Sequence, residues 1–133
     1  MKSKSDSHGF FEAYQEYAKV LRTWLVAYGI GAPVVFLTNE GLSKAILHSP
    51  EAKLIAGFFL AGVALQIVIA ALNKHCMWVL YYGETEKDFQ NNPAYKCAEW
   101  LSDHISIDLI VDLVTILLFA IATWWAYSTL VLK

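Results

Sequence analysis

Two aspartates on the last apolar segment are the residues whose type and spacing best fit chemistry. Asp108 and Asp112 are four residues apart, so on a helix both carboxylates project from one face, and Thr115 lies on the same face. His104 precedes them by one further helical turn. A charged acid costs about 2.5 to 3.5 kcal/mol at the centre of a membrane helix, so such residues face a partner or water. These four residues therefore predict a polar face inside the membrane.

Two interpretations of this polar face differ in function. In the first, Asp112 forms an ion pair with Arg22, because the expected topology brings both residues to the same end of a helical bundle. In the second, the Asp108/Asp112 face lies at the cytoplasmic mouth of an ion-conducting or membrane-permeabilising oligomeric pore. A solvated acid at the membrane interface is the third and simplest alternative.

The sequence predicts no catalytic residue, no metal site and no cofactor. It contains no nucleophile elbow, no Gly-rich phosphate loop after a strand and no HExxH motif. Two histidines and two cysteines lie near one connection, but the adjacent pair His75 and Cys76 would diverge on a helix, and no paired CxxC is present. We therefore expect a protein that is not an enzyme.

The composition indicates a membrane protein. Hydrophobic residues make up 57% of the chain and the mean hydropathy is +0.44, more than a soluble domain needs for its core. Three apolar segments, at about 19–38, 53–73 and 108–131, are long enough to cross a hydrocarbon core of about 30 Å. The net charge of −2 argues against nucleic acid as a partner. We expect residues 1–133 to form a single transmembrane domain.

The predicted fold is all-α: an integral membrane three-helix bundle with two additional helices. An aromatic stripe between Phe10 and Leu21 predicts an N-terminal interfacial amphipathic helix. A short helix is expected between spans two and three, and a bend should separate it from the third span.

Local signals predict where several helices begin or bend. Asn92-Pro93 combines a capping residue with a proline at the first helical position, and Ser49-Pro50-Glu51 has the same pattern before the second span. Pro33 predicts a kink or a partial break in the first span, because proline removes a backbone donor.

Small residues on the second and third spans predict surfaces where helices pack closely. On the second span, Gln66 and Asn73 lie on the side opposite the small residues, so this helix has two contact faces. The predicted contact residues are Gly57, Ala61 and Ala64 on the second span and Ala122 and Ala126 on the third.

These features predict a small multi-pass membrane subunit that assembles in the lipid bilayer as a homo-oligomer or with another membrane protein. Seven of the ten Lys and Arg residues lie in the N-terminal segment and the second connection, and three lie on the other side. The positive-inside rule then places the N-terminus in the cytoplasm and the C-terminus outside, in a plasma or inner membrane.

Overall fold

The structure is a computed structural model that describes the backbone of residues 4–131 and the side chains of residues 12–131 other than Ile105. In chain order the helices are α1 (Lys4–Thr38), α2 (Glu40–Leu47), α3 (Ala52–Thr85), a 3₁₀ helix (Lys87–Asn91), α4 (Pro93–Asp103) and α5 (Ile105–Val131). The described residues contain no strand, so the predicted all-α class is confirmed.

Three of these helices are long and apolar enough to cross a membrane, as the sequence predicts. α1, α3 and α5 contain 35, 34 and 27 residues, and at about 1.5 Å per residue each exceeds the thickness of a hydrocarbon core. Their apolar segments are Glu12–Thr38, Ala52–Thr85 and Ser106–Val131. α3 therefore continues well beyond the predicted end of the second span.

The aromatic N-terminal segment and the first span belong to one helix. α1 runs without interruption from Lys4 to Thr38, and it continues past Pro33, so no break occurs there. The side chains of Phe10 and Phe11 lie outside the described part of the chain. The interfacial position of this segment stays a prediction.

The predicted start of α4 is present with its capping contact. The Asn92 side chain accepts a hydrogen bond from the backbone N–H of Ala94 at 2.9 Å, and Pro93 occupies the first turn. α4 ends at Asp103 and α5 begins two residues later, so the chain does break where a bend is expected.

The predicted serine cap of α3 is wrong. α3 begins at Ala52, and the N–H of Ala52 donates to the backbone carbonyl of Ser49 at 3.2 Å, whereas the Ser49 hydroxyl is buried without a hydrogen-bond partner among the described residues. The Ser49 N–H itself donates to the carbonyl of Ile46 at 3.0 Å. Ser49 therefore belongs to the turn that closes α2, and its hydroxyl makes no capping hydrogen bond to α3.

The antiparallel pair α3 and α5 forms the most extensive packing in the fold. Its buried residues recur at alternating intervals of four and three on both helices, the spacing of a coiled-coil seam. They are Ile55, Phe59, Gly62, Gln66 and Ile69 on α3, and Asp112, Thr115, Phe119, Ala122, Ala126 and Thr129 on α5. Gln66, Asp112 and Thr115 meet towards one end of this seam, and the other end is apolar apart from Thr129.

Phe119 of α5 is where the three long helices meet. Its ring centroid lies 5.7 Å from that of Tyr28 on α1 and 5.7 Å from that of Phe59 on α3. Gly29 and Gly62 face the same ring, and a Cβ atom at either glycine would collide with it. The two glycines therefore let α1 and α3 approach α5 closely.

The shorter helices cover the ends of the bundle. α2 places Ile46 in the apolar core at one end. At the other end α4 packs on the C-terminal part of α3, where Tyr95 lies directly over Gly83 and Ala98 is buried. The length of α3 beyond the predicted span is thus covered by α4.

Replacing Gly62 with alanine should lower the free energy of unfolding by about 1 to 3 kcal/mol, because the new Cβ would displace the packed Phe119 ring. The measurement is unfolding in detergent by SDS titration, followed by circular dichroism. Gly31→Ala on α1 is the control, since its Cβ would also meet nothing within 4 Å. Equal stabilities of the two variants would contradict the close approach at Phe119.

Candidate functional site

A row of hydrogen-bonded polar side chains occupies one end of the α3–α5 seam. Asn73 donates to Asp108 at 3.0 Å. Gln66 donates through its amide nitrogen to Asp112 at 3.0 Å and to Thr115 at 3.0 Å. We call these five residues the polar row. Three of the four residues of the predicted polar face therefore point towards α3.

The polar row is deepest at Gln66 and Thr115, whose exposed fractions are 1% and 0%. Asp112 is exposed by 4%, so its carboxylate has little access to solvent. A buried carboxylate is costly unless hydrogen bonds or an opposite charge compensate for the lost hydration. The Gln66 amide supplies one such hydrogen bond, and its own carbonyl oxygen has no hydrogen-bond partner among the described residues.

Arg22 brings a positive charge from α1 to the polar row. Its Nη2 atom contacts Oδ2 of Asp108, and its Nε atom lies 3.9 Å from Oδ1 of Asp112. Arg22 is thus at the acidic face, as hypothesised, but its closer partner is Asp108 and not Asp112. The reason is depth: Asp112 lies one helical turn further into the seam, where its Oδ1 already accepts the Gln66 amide.

His104 lies apart from the polar row. It caps the C-terminus of α4, its side chain is exposed, and its Nδ1 lies 2.7 Å from the backbone carbonyl of Trp100. The prediction assumed one helix through His104 and Asp108, but α5 begins only at Ile105. The break in the helix removes His104 from the face shared by Asp108 and Asp112.

Gln66 and Asn73 are the residues of the polar row for which the sequence predicted no partners. They were placed on one side of the second span, but nothing connected them to the acids of the third. A signal was present: Gln66 and Asn73 are seven residues apart, as are Asp108 and Thr115. In an antiparallel pair of helices, equal separations allow both contacts to form in a single register.

A cavity of about 450 Å³ opens beside the polar row, between α1, α3, α4 and α5. Asp108 and Asn73 of the polar row line this cavity, and so does Arg22. Its lining contains both apolar and basic residues. The apolar residues include Ile69, Ala70, Met77, Leu101 and Ile107, the basic residues include Lys19 and Lys74, and His104 also lines the cavity.

The small residues predicted as helix contacts fall into two groups. Ala122 and Ala126 of α5 are both 0% exposed within the core of the bundle. Gly57, Ala61 and Ala64 are exposed, on the side of α3 opposite its buried seam. Their contact, if the prediction holds, is with a chain other than this one.

The arrangement is suited to holding charge. Each carboxylate of the polar row accepts a hydrogen bond from an amide, and Arg22 adds the opposite charge. Within the part of the chain that the structure describes, no group of three or more His, Cys, Asp or Glu side chains could hold a metal ion. Comparison with protein-family models, curated proteins and solved structures found no match to this chain.

A double-mutant cycle should show stronger coupling of Arg22 to Asp108 than to Asp112. Alanine replacement of Arg22, of either aspartate and of each pair would be compared by SDS titration of the purified protein. We expect a coupling free energy of about 0.5 to 3 kcal/mol for Arg22 with Asp108, because removing one partner leaves the other charge uncompensated. Additive effects at Asp108, or a larger coupling at Asp112, would contradict the contact.

Proposed function

We propose that this chain is a non-enzymatic, multi-pass subunit located in a cell membrane. Its helices α1, α3 and α5 form a transmembrane bundle. The polar row and Arg22 join the three spans, and the exposed small-residue face of α3 joins the subunit to a second copy or to another membrane protein. One observation carries the proposal. The bundle turns its polar groups inwards and leaves Gly57, Ala61 and Ala64 exposed on its central helix.

The apolar surface of the three long helices supports membrane insertion. Only 11%, 28% and 22% of their most apolar windows are buried within the chain. The exposed remainder is rich in large apolar residues, among them Leu60, Ile67, Leu109 and Trp124. Water is a poor environment for so much apolar surface, whereas lipid hydrocarbon accepts it. Lipid and neighbouring membrane chains are therefore the proposed surroundings.

The small-residue face supports assembly, because glycine and alanine offer little side-chain surface for van der Waals contact with lipid. Membrane helices associate mainly through van der Waals contact, and small side chains four residues apart let two backbones approach closely. Gly57 and Ala61 have this spacing, and a Cβ atom at Gly57 would meet nothing in this chain. Space for another helix is thus available beside them.

The distribution of basic residues supports an orientation. Lys19, Arg22 and Lys74 lie around the polar end of the bundle, next to the cavity. Lys44 on α2 and Lys53 in the first turn of α3 lie at the opposite end of α3. We propose that the polar end faces the cytoplasm, which leaves the C-terminus outside.

An oligomeric pore with the Asp108/Asp112 face at its cytoplasmic mouth is the second candidate. The cavity beside Asp108 is the observation for it, since the cavity opens to this acid, although Arg22 already contacts its carboxylate. The hydrogen bond that Asp112 accepts from Gln66 of α3 favours the first candidate, because a side chain held in the seam does not line a channel between subunits.

Conductance of the protein in liposomes distinguishes the two candidates. Absence of ion flux is the expected result for the assembly subunit, for the wild type and for Asp112→Ala alike. A flux that Asp112→Ala abolishes, while Glu99→Ala leaves it unchanged, would instead favour the pore. Glu99 is a suitable control because it is an exposed acid on α4, outside the polar row.

Replacing Gly57 and Ala61 together by leucine should separate the assembly without unfolding the bundle, because both positions are exposed in the chain. Light scattering in detergent would measure the molar mass. We expect the wild type at a multiple of 14.9 kDa or with a co-purified membrane protein, and the double variant at one chain mass. Ala56→Leu, about a quarter turn away on α3, should keep the assembly. A wild type that is monomeric and unpartnered would refute the proposal.

A further inference from the structure

The cavity between α1, α3, α4 and α5 combines basic and apolar lining residues. We propose that it binds the phosphate group of an anionic phospholipid, with Lys19 and Lys74 as the phosphate contacts and an acyl chain along its apolar residues. This inference rests on the proposed insertion of the three helices into a membrane. It assigns the cavity a ligand that neither assembly nor ion conduction requires.

The charges around the cavity favour an anion. Arg22, Lys19 and Lys74 line it, and Asp108 is the acid that faces them. Arg22 contacts Asp108, so these two charges largely compensate each other. Among the described residues, neither Lys19 nor Lys74 has a carboxylate within ion-pair distance, and both are exposed. Two ammonium groups without a nearby carboxylate therefore line the cavity.

The level of the cavity along the helices matches that of a lipid headgroup. Each long helix has an uncharged run, and a charged residue borders this run at the polar end of the bundle. The bordering residues are Arg22 on α1, Lys74 on α3 and Asp112 on α5. The cavity thus lies where the apolar spans meet the polar end of the bundle. In a bilayer this border is the region of lipid phosphates, where each basic residue is attracted by about 1 kcal/mol.

The apolar residues of the cavity separate a lipid from free phosphate. Ile69, Met77, Leu101 and Ile107 also line the cavity, and Ile69 lies on the span side of Lys74. The volume of about 450 Å³ falls in the range of sites for small organic ligands. Inorganic phosphate would contact the lysines and leave these apolar residues in water. A ligand with a phosphate head and an acyl chain covers both groups of residues.

The test uses the full chain, purified in an uncharged detergent and freed of lipid, with native mass spectrometry as the measurement. Three ligands are titrated: a short-chain phosphatidylglycerol, a short-chain phosphatidylcholine and inorganic phosphate. Two double variants are compared. One carries both Lys19→Gln and Lys74→Gln, and the other carries both Lys44→Gln and Lys53→Gln. The second pair removes the same charge at the opposite end of α3. A third variant, Ala70→Leu, narrows the cavity without changing its charge.

We expect phosphatidylglycerol to bind more tightly than the other two ligands. The Lys19/Lys74 pair should weaken this binding by about 30-fold, from the attraction of two basic residues, and the control pair should leave it unchanged. Ala70→Leu should weaken it as well. Equal binding of phosphatidylcholine or inorganic phosphate, or equal effects of the two lysine pairs, would overturn the proposal. Resistance of the protein to carbonate extraction from membranes is measured separately, so failure of lipid binding is distinguished from failure of membrane insertion.

Discussion

The contact of Arg22 with Asp108 joins helices that are far apart in the chain, and the positions of α1 and α5 depend on it. A carboxylate at the edge of an apolar helix is costly to bury unless a charge or hydrogen bond compensates for it. Asp112, one turn deeper, obtains this compensation from Gln66 of α3. Asp108 therefore contacts both α1 and α3, through Arg22 and Asn73, whereas Asp112 accepts its hydrogen bond from α3. Sliding either helix by one turn would leave a buried acid without its partner.

The apolar half of the bundle follows from the same antiparallel register. The register that pairs Gln66 with Thr115 also brings Gly62 to the Phe119 ring, four residues further along each helix. Because a glycine lies at this point, α3 can approach α5 closely enough to enclose the ring. The polar and apolar contacts thus support one alignment of the helices. The outward side of α3 and the cavity beside Lys74 take no part in this alignment, which leaves them free for neighbouring molecules.

Much of the fold could be predicted from the sequence, and about half of the candidate site. Long uncharged runs and the Asn92-Pro93 pair identified helices that the structure contains, because hydropathy and capping act over a few neighbouring residues. The serine cap at Ser49 was wrong because the same residues also close the turn of α2. His104 was placed with the acids because periodicity assumes an unbroken helix, and α5 begins after it.

By itself, the sequence determined the three apolar helices and the shared face of Asp108, Asp112 and Thr115, because helical geometry relates residues a few positions apart. The tertiary structure decided which side chains meet that face. Arg22 contacts Asp108, and Gln66 donates a hydrogen bond to Asp112, only when the helices are packed in this register. Local spacing carries no information about such register, because it depends on how side chains from distant segments fill the space between the helices.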